Sequence, residues 1–289
     1  MCMISGITTS ITGTQIIISN IGDGRQLTVY SNQIVLGDRL EPVVMILPFP
    51  NKNNNIKVLE TVNEDMKCFD DINQCFIEQT FGIKSRSYSG TSSKRTLEVL
   101  RAGNYRYSIA RGIEQLNMLD NIFKKSKELD NLLMTYEDNN FGFIACIIDK
   151  NAKYSPFAYI HNIVDNKLFV PTKHYHEHDQ RTNYMDRNSF NDNWGQSNHT
   201  PYNNQVINNS EYTTDWDHDI FIFNTSKSNA YTNYENDKKY SFSQYIDNCP
   251  KEKLYKMNIK GYHKNEDIVI DLPNLSQKIF NFSDGYKNV

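Results

Sequence analysis

The chain of 289 residues carries 31 Lys and Arg against 34 Asp and Glu, a net charge of −3 with an isoelectric point near 6.2. That balance argues against a charged disordered tail and makes a nucleic-acid partner unexpected. A mean hydropathy of −0.63 and the lack of an apolar run of about 20 residues leave no candidate transmembrane helix. With no basic, apolar leader at Met1, a cytoplasmic location is expected, without a membrane partner and with the five cysteines as reduced thiols. The 36 asparagines, beside scarce Ala, point to an AT-rich genome, so Asn-rich patches are discounted as functional signals.

The first fifty residues read as strands. Residues 14–18 are β-branched and apolar, Asp23-Gly24 suits the positive φ of a tight hairpin, and 26–34 return as a second strand. A third strand, 43–49, is stopped by Pro48 and Pro50. Residues 64–78 are predicted helical, because Phe69, Ile72 and Phe76 recur at helical spacing after a capping Asn63. Cys68 and Cys75 would sit about 10.5 Å apart along that helix, too far for a disulfide, and both are assigned to the core.

Further along, Tyr105, Tyr107 and Ile109 alternate as a strand. Apolar positions from Ile113 to Tyr136 mark one long helix or two short ones, with Ser126 as an internal cap. Residues 141–149, 157–161 and 168–176 are three more predicted strands, and 219–223 another. The stretch 177–214 has almost no apolar periodicity and is expected to be a long polar loop. Residues 254–262 and 268–271 are predicted to pair as a hairpin. Strands with a few intervening helices and no βα alternation predict an α+β fold, one domain over residues 1–289, with a mostly antiparallel sheet and two or three helices.

Chemistry concentrates where the 168–176 strand ends, in His174-Tyr-His176-Glu-His178. Residues two apart on a strand share a face at about 6.6 Å, which suits two imidazoles on one zinc ion, whereas the outer pair would be about 13 Å apart. A third ligand is sought in Asp215-Trp-Asp217-His218-Asp219, with His218 or Asp217 favoured. The expected centre is therefore a transition-metal site of His174, His176 and His218, with Zn as the candidate cofactor. Asp217 or Asp219 would orient or deprotonate a metal-bound water, making metal-dependent hydrolysis the first functional reading. Asp215, Asp217 and Asp219 resemble the opening of a calcium loop, but Ile220 and Ser226 stand where glycine and glutamate are required.

A third reading rests on Cys2. Removal of Met1 would leave a terminal thiol beside its own amine, the arrangement of an N-terminal cysteine amidohydrolase. No GxSxG elbow, Walker loop, HExxH or CxxC pair is present.

Several blocks together carry a resemblance: Met1-Cys2, Arg25-Gln-Leu-Thr-Val-Tyr30, Val44-Met-Ile-Leu-Pro-Phe-Pro50, Gly103-Asn-Tyr-Arg-Tyr-Ser108, Phe169-Val-Pro-Thr172 with its histidines, and Asp217-His218. In these the chain resembles an uncharacterised family with a Met-Cys start, an RQLTVY-like strand, an MxLPxP strand, and a late PTxHxH element followed by an Asp-His strand. The resemblance implies one continuous domain and no mechanism. The reading that competes with hydrolysis is a non-catalytic binding or structural protein, a virion component if the source is viral, with its partners unassigned and a homo-oligomer open.

Overall fold

The computed structural model describes residues 3–36, 42–51, 55–60, 67–74, 97–123, 125–148, 154–178, 213–224 and 254–274. It opens on a long hairpin of β1 (Met3–Gly22) and β2 (Arg25–Leu36). Its turn residues Asp23 and Gly24 both have positive φ, 50° and 66°, the backbone twist that matches paired strands. The next strands are β3 (Val43–Pro50), β4 (Ile56–Leu59), β5 (Leu100–Ala102), β6 (Tyr105–Ala110), β7 (Phe141–Ile148) and β8 (Phe157–Asn162). Then come β9 (Lys167–Val170), β10 (Tyr175–His178), β11 (Thr213–Asn224), β12 (Leu254–Lys264) and β13 (Ile268–Asp271).

Strand β1 organises the rest. Its first residues pair with β3 on one flank and with β10 on the other, through Met3↔Ile46 and Met3↔Tyr175. Its second half pairs with β2 on one flank and with β11 on the other, through Ile16↔Tyr30 and Ile16↔Ile220. Thr8 faces Leu36 of β2 and His178 of β10, so β10 and β11 share a flank. Two sheets, β5-β6-β7-β3-β1-β10 and β4-β8-β2-β1-β11-β12, thus have β1 in common, and β9 pairs with β13 in a small separate ladder. Gly6 at φ 112° and Gly13 at φ 59° fall where the register of β1 shifts, in conformations that a side chain would strain.

This is a mostly β architecture with two large mixed sheets, not the expected α+β fold with a mainly antiparallel sheet. The mixture arises because β10 and β11 both run parallel to β1, a long-range choice that no local pattern encodes. The regular α-helices among the described residues are only α1 (Cys68–Gln74) and α2 (Lys127–Leu133). The apolar stretch from Ile113 to Tyr136 divides into a 3-10 segment Ile113–Met118, then α2, then a second 3-10 segment Met134–Asn139. Residues 168–176 are broken at Pro171 into β9 and β10, and β12 and β13 pair with different strands instead of with each other.

Core formation explains the unbroken apolar runs, which are buried on both faces. Alternate residues Val43, Met45, Leu47 and Phe49 of β3, Ile144 and Cys146 of β7, Ile16 and Ile18 of β1, and Ile220 and Ile222 of β11 share the central core. Their neighbours face outward into two further layers. Ile17, Val29, Ile160 and Phe221 pack with Cys68, Phe69 and Ile72 of α1. Val44, Ile46, Ala145 and Ile147 pack under Leu116, Leu129, Leu132 and Leu133. Ser126 caps α2 as expected, its hydroxyl accepting from the Leu129 N–H at 3.1 Å. No helix of the described residues is long and apolar enough to cross a membrane.

Candidate functional site

The histidine segment is built by the break between β9 and β10. Extended backbone at β10 puts His174 and His176 on one side, and their rings stack with centroids 5.3 Å apart and planes 27° from parallel. Tyr175 points the other way, where its hydroxyl meets Ser126 Oγ at 3.0 Å. Burial pushes the His174 pKa down to about 2, with the neighbouring His176 lowering it further, so the His174 ring is neutral at any physiological pH.

His218 comes from another strand. It is fully buried on β11, on the same side as Ile220 and Ile222 of the central core. His176 is opposite Ile4 of β1 and His218 opposite Thr14. The rings of His174 and His176 are thus adjacent on one flank of β1, and His218 belongs to the strand that pairs with a later stretch of the same flank. Strand β9 pairs with β13, and β11 pairs with β1 and β12. Among the described residues, no group of three or more His, Cys, Asp or Glu is placed to hold a metal ion.

Asp217 and Asp219 project from the other face of β11 and serve the sheet. Asp217 Oδ2 accepts from the Gly13 N–H at 3.3 Å, at the bulge in β1, and its position faces Lys260 of β12. Asp219 accepts from Asn258 Nδ2 at 2.6 Å and pairs with Lys256 Nζ at 3.5 Å. The Lys256 ammonium also lies 5.1 Å from the Phe221 ring centroid. Asp217 and Asp219 thus lie beside Lys260 and Lys256 of the neighbouring strand, a cross-strand charge ladder. Cys2 lies outside the described residues, as do the His178 side chain and all of the expected polar loop except 177–178 and 213–214.

Two polar clusters escaped the sequence reading. In the first, the turn before β13 holds the link between β9 and β10. Asp267 Oδ1 accepts from the backbone N–H of Thr172 at 2.9 Å and of Lys173 at 2.8 Å, and Oδ2 accepts from the Tyr136 hydroxyl. Asn265 completes the set, its Oδ1 accepting from His174 N at 2.8 Å and its Nδ2 donating to His174 O at 2.9 Å. Desolvation raises the Asp267 pKa despite these donors and raises that of Tyr136 well above its ordinary value. Lys173 Nζ sits 4.3 Å from the Tyr136 ring centroid and donates to Thr135 Oγ1 at 3.0 Å.

In the second cluster Gln26, fully buried on β2, pairs with the Phe169 backbone as another strand would. Its Nε2 donates to Phe169 O at 2.7 Å and its Oε1 accepts from Phe169 N at 2.9 Å. The Gln26 amide also reaches Thr28 Oγ1 at 2.8 Å, and Thr28 lies 3.5 Å from His161 Nε2. His161 Nδ1 is 2.9 Å from Asn162 O, which assigns the ring proton to Nδ1; burial lowers its pKa to about 4. A glutamine in an apolar strand, Gln26 in Arg-Gln-Leu-Thr-Val, was the one available hint of this cluster.

What these residues form is a mostly β framework in which the buried or enclosed side chains of Gln26, Asn265 and Asp267 bind the backbone of neighbouring segments. The chain matches no protein-family model and no curated protein. It is similar to the crystal structure of baculovirus P35, with a TM-score of 0.48 and 14% identity, covering 93% of this chain and 98% of that one. A mutated baculovirus P35 after caspase cleavage gives a TM-score of 0.40 at 13% identity over 89% and 98% of the two chains. The caspase-8/P35 complex gives 0.37 at 13% identity over 90% and 88%.

Proposed function

We propose that the protein acts by binding a macromolecular partner and does not catalyse a reaction. The observation that carries this reading is the employment of the candidate catalytic groups in the framework. Asp217 supports the β1 bulge, Asp219 serves the β11/β12 ladder, and His218 is packed in the central core. A carboxylate committed to an ammonium and an amide is poorly placed to move a proton in a reaction.

The test combines two measurements on the full chain. Metal content after chelator-free purification, with turnover of ester, phosphoester and peptide substrates, is expected to show neither stoichiometric zinc nor hydrolysis. Zinc at one equivalent, lost together with turnover in His174→Ala and His176→Ala, would overturn the reading. A caspase, the partner in one of the similar solved structures, is the first bait for binding, and a stoichiometric complex on size exclusion would support it.

A metal centre is the second reading, favoured by one observation, the adjacent stacked rings of His174 and His176. It requires a third donor, for which the sequence offered His218, and the same metal analysis decides it.

A further inference from the structure

We propose that Asn265 and Asp267 form a latch holding β10 on the flank of β1, so that β10 is released separately from the rest of its sheet. The ladder that β10 makes is slight. It has four residues, runs parallel to β1, is interrupted by a register shift between Ile4 and Ile7, and has β1 as its one strand partner among the described residues. Parallel pairing is weaker per residue than antiparallel pairing, and a strand this short gains little from it.

The grip comes from just before the strand. Three successive backbone N–H groups, of Thr172, Lys173 and His174, donate to side-chain oxygens of Asp267 and Asn265 and to no strand. The Thr172 hydroxyl donates to Glu266 O at 2.9 Å and accepts from Ile268 N at 3.0 Å, so the same turn is held from both sides. Asp267 also takes the Tyr136 hydroxyl, which fixes the turn to the helical layer over the first sheet. Beside the Thr172 hydroxyl and the Tyr175–Ser126 contact, these two side chains carry most of the attachment of a strand whose own ladder is short. Because they bind the link and not the strand itself, losing them frees β10 without touching β3, β7 or β2.

Hydrogen exchange followed by mass spectrometry on the intact chain tests this. In Asp267→Ala and in Asn265→Ala, amides of Tyr175–His178 and of their partners on β1, residues 3–8, are expected to exchange at least about tenfold faster, the factor for one lost net hydrogen bond. Amides of the β3/β7 and β2/β8 ladders should keep their rates. Asp267→Asn, which retains an acceptor oxygen for both amides, should have a smaller effect than Asp267→Ala. Should the alanine variants fail to fold, Tyr136→Phe, which removes a single donor, is expected to accelerate the same segments alone. Acceleration spread evenly over all ladders, or unchanged exchange in 175–178, overturns the proposal.

Discussion

A methyl group added at Gly142 would overlap the ring of Phe49, its partner across the β3/β7 ladder, and Phe49 is fully buried. A ring enclosed by the central core cannot yield, so Gly142→Ala is expected to cost about 1–3 kcal/mol in urea unfolding. Phe49→Leu in the same chain should recover part of that loss, and strict additivity of the two changes would contradict the contact. The buried imidazoles set the acid response. His161 and His174 have folded pKa values depressed to about 4 and about 2, below the ordinary 6.5. Their stabilisation is complete above pH 6.5 and is lost as pH falls toward those values. Each neutral ring then forfeits about 1.4 kcal/mol per pH unit, or about 2 kcal/mol by pH 5. Asp267 works in the opposite sense, since a raised carboxyl pKa gives stability that fades as pH rises through it. Comparing His161→Gln with the unaltered chain isolates one group. Between pH 6.5 and 5 the variant's stability should fall with a slope shallower by about one proton, and equal slopes would refute the assignment.

At the scale of the element, α2 depends on the residue that caps it. The Ser126 hydroxyl caps the Leu129 N–H and also meets Tyr175, so Ser126→Ala should cost about 1 kcal/mol in thermal or urea unfolding. The charge ladder between β11 and β12 should matter less. Asp219 and Lys256 keep about a quarter of their side-chain surface exposed, so a double-mutant cycle should return less than about 1 kcal/mol and shrink in high salt. The cap at Ser126, the turn at Asp23-Gly24 and the strands of 43–49 and 219–223 were legible because local chemistry decides each of them. What stayed hidden depends on partners far away in the chain. Nothing in His174-x-His176 or in Asp217-His218 says which stretch of β1 each will join. Asn265 and Asp267 gave no sign either, since polar residues in a turn look alike whether they face solvent or grip another segment.

For the whole molecule, the decisive feature is a strand with both faces buried and both flanks paired. Ile16 faces the central core and Ile17 faces the layer under α1. Ile16→Ala and Ile17→Ala should each cost about 2–5 kcal/mol. Both should weaken the two sheets together, because β1 belongs to each. Exchange measured in rising urea would then release β7 and β8 amides at a common midpoint, and separate midpoints would mean that the sheets unfold independently. The same strand sets a schedule during translation. Gly13 and Asp217, which hydrogen-bond where β1 meets β11, are 204 residues apart, an interval of about 10–40 s at ordinary ribosome speeds. Throughout that delay a sticky apolar ribbon has one margin open, so nascent copies on neighbouring ribosomes are at risk of zipping together, and yield in the cell should depend on holdase chaperones more than on the final stability of the fold.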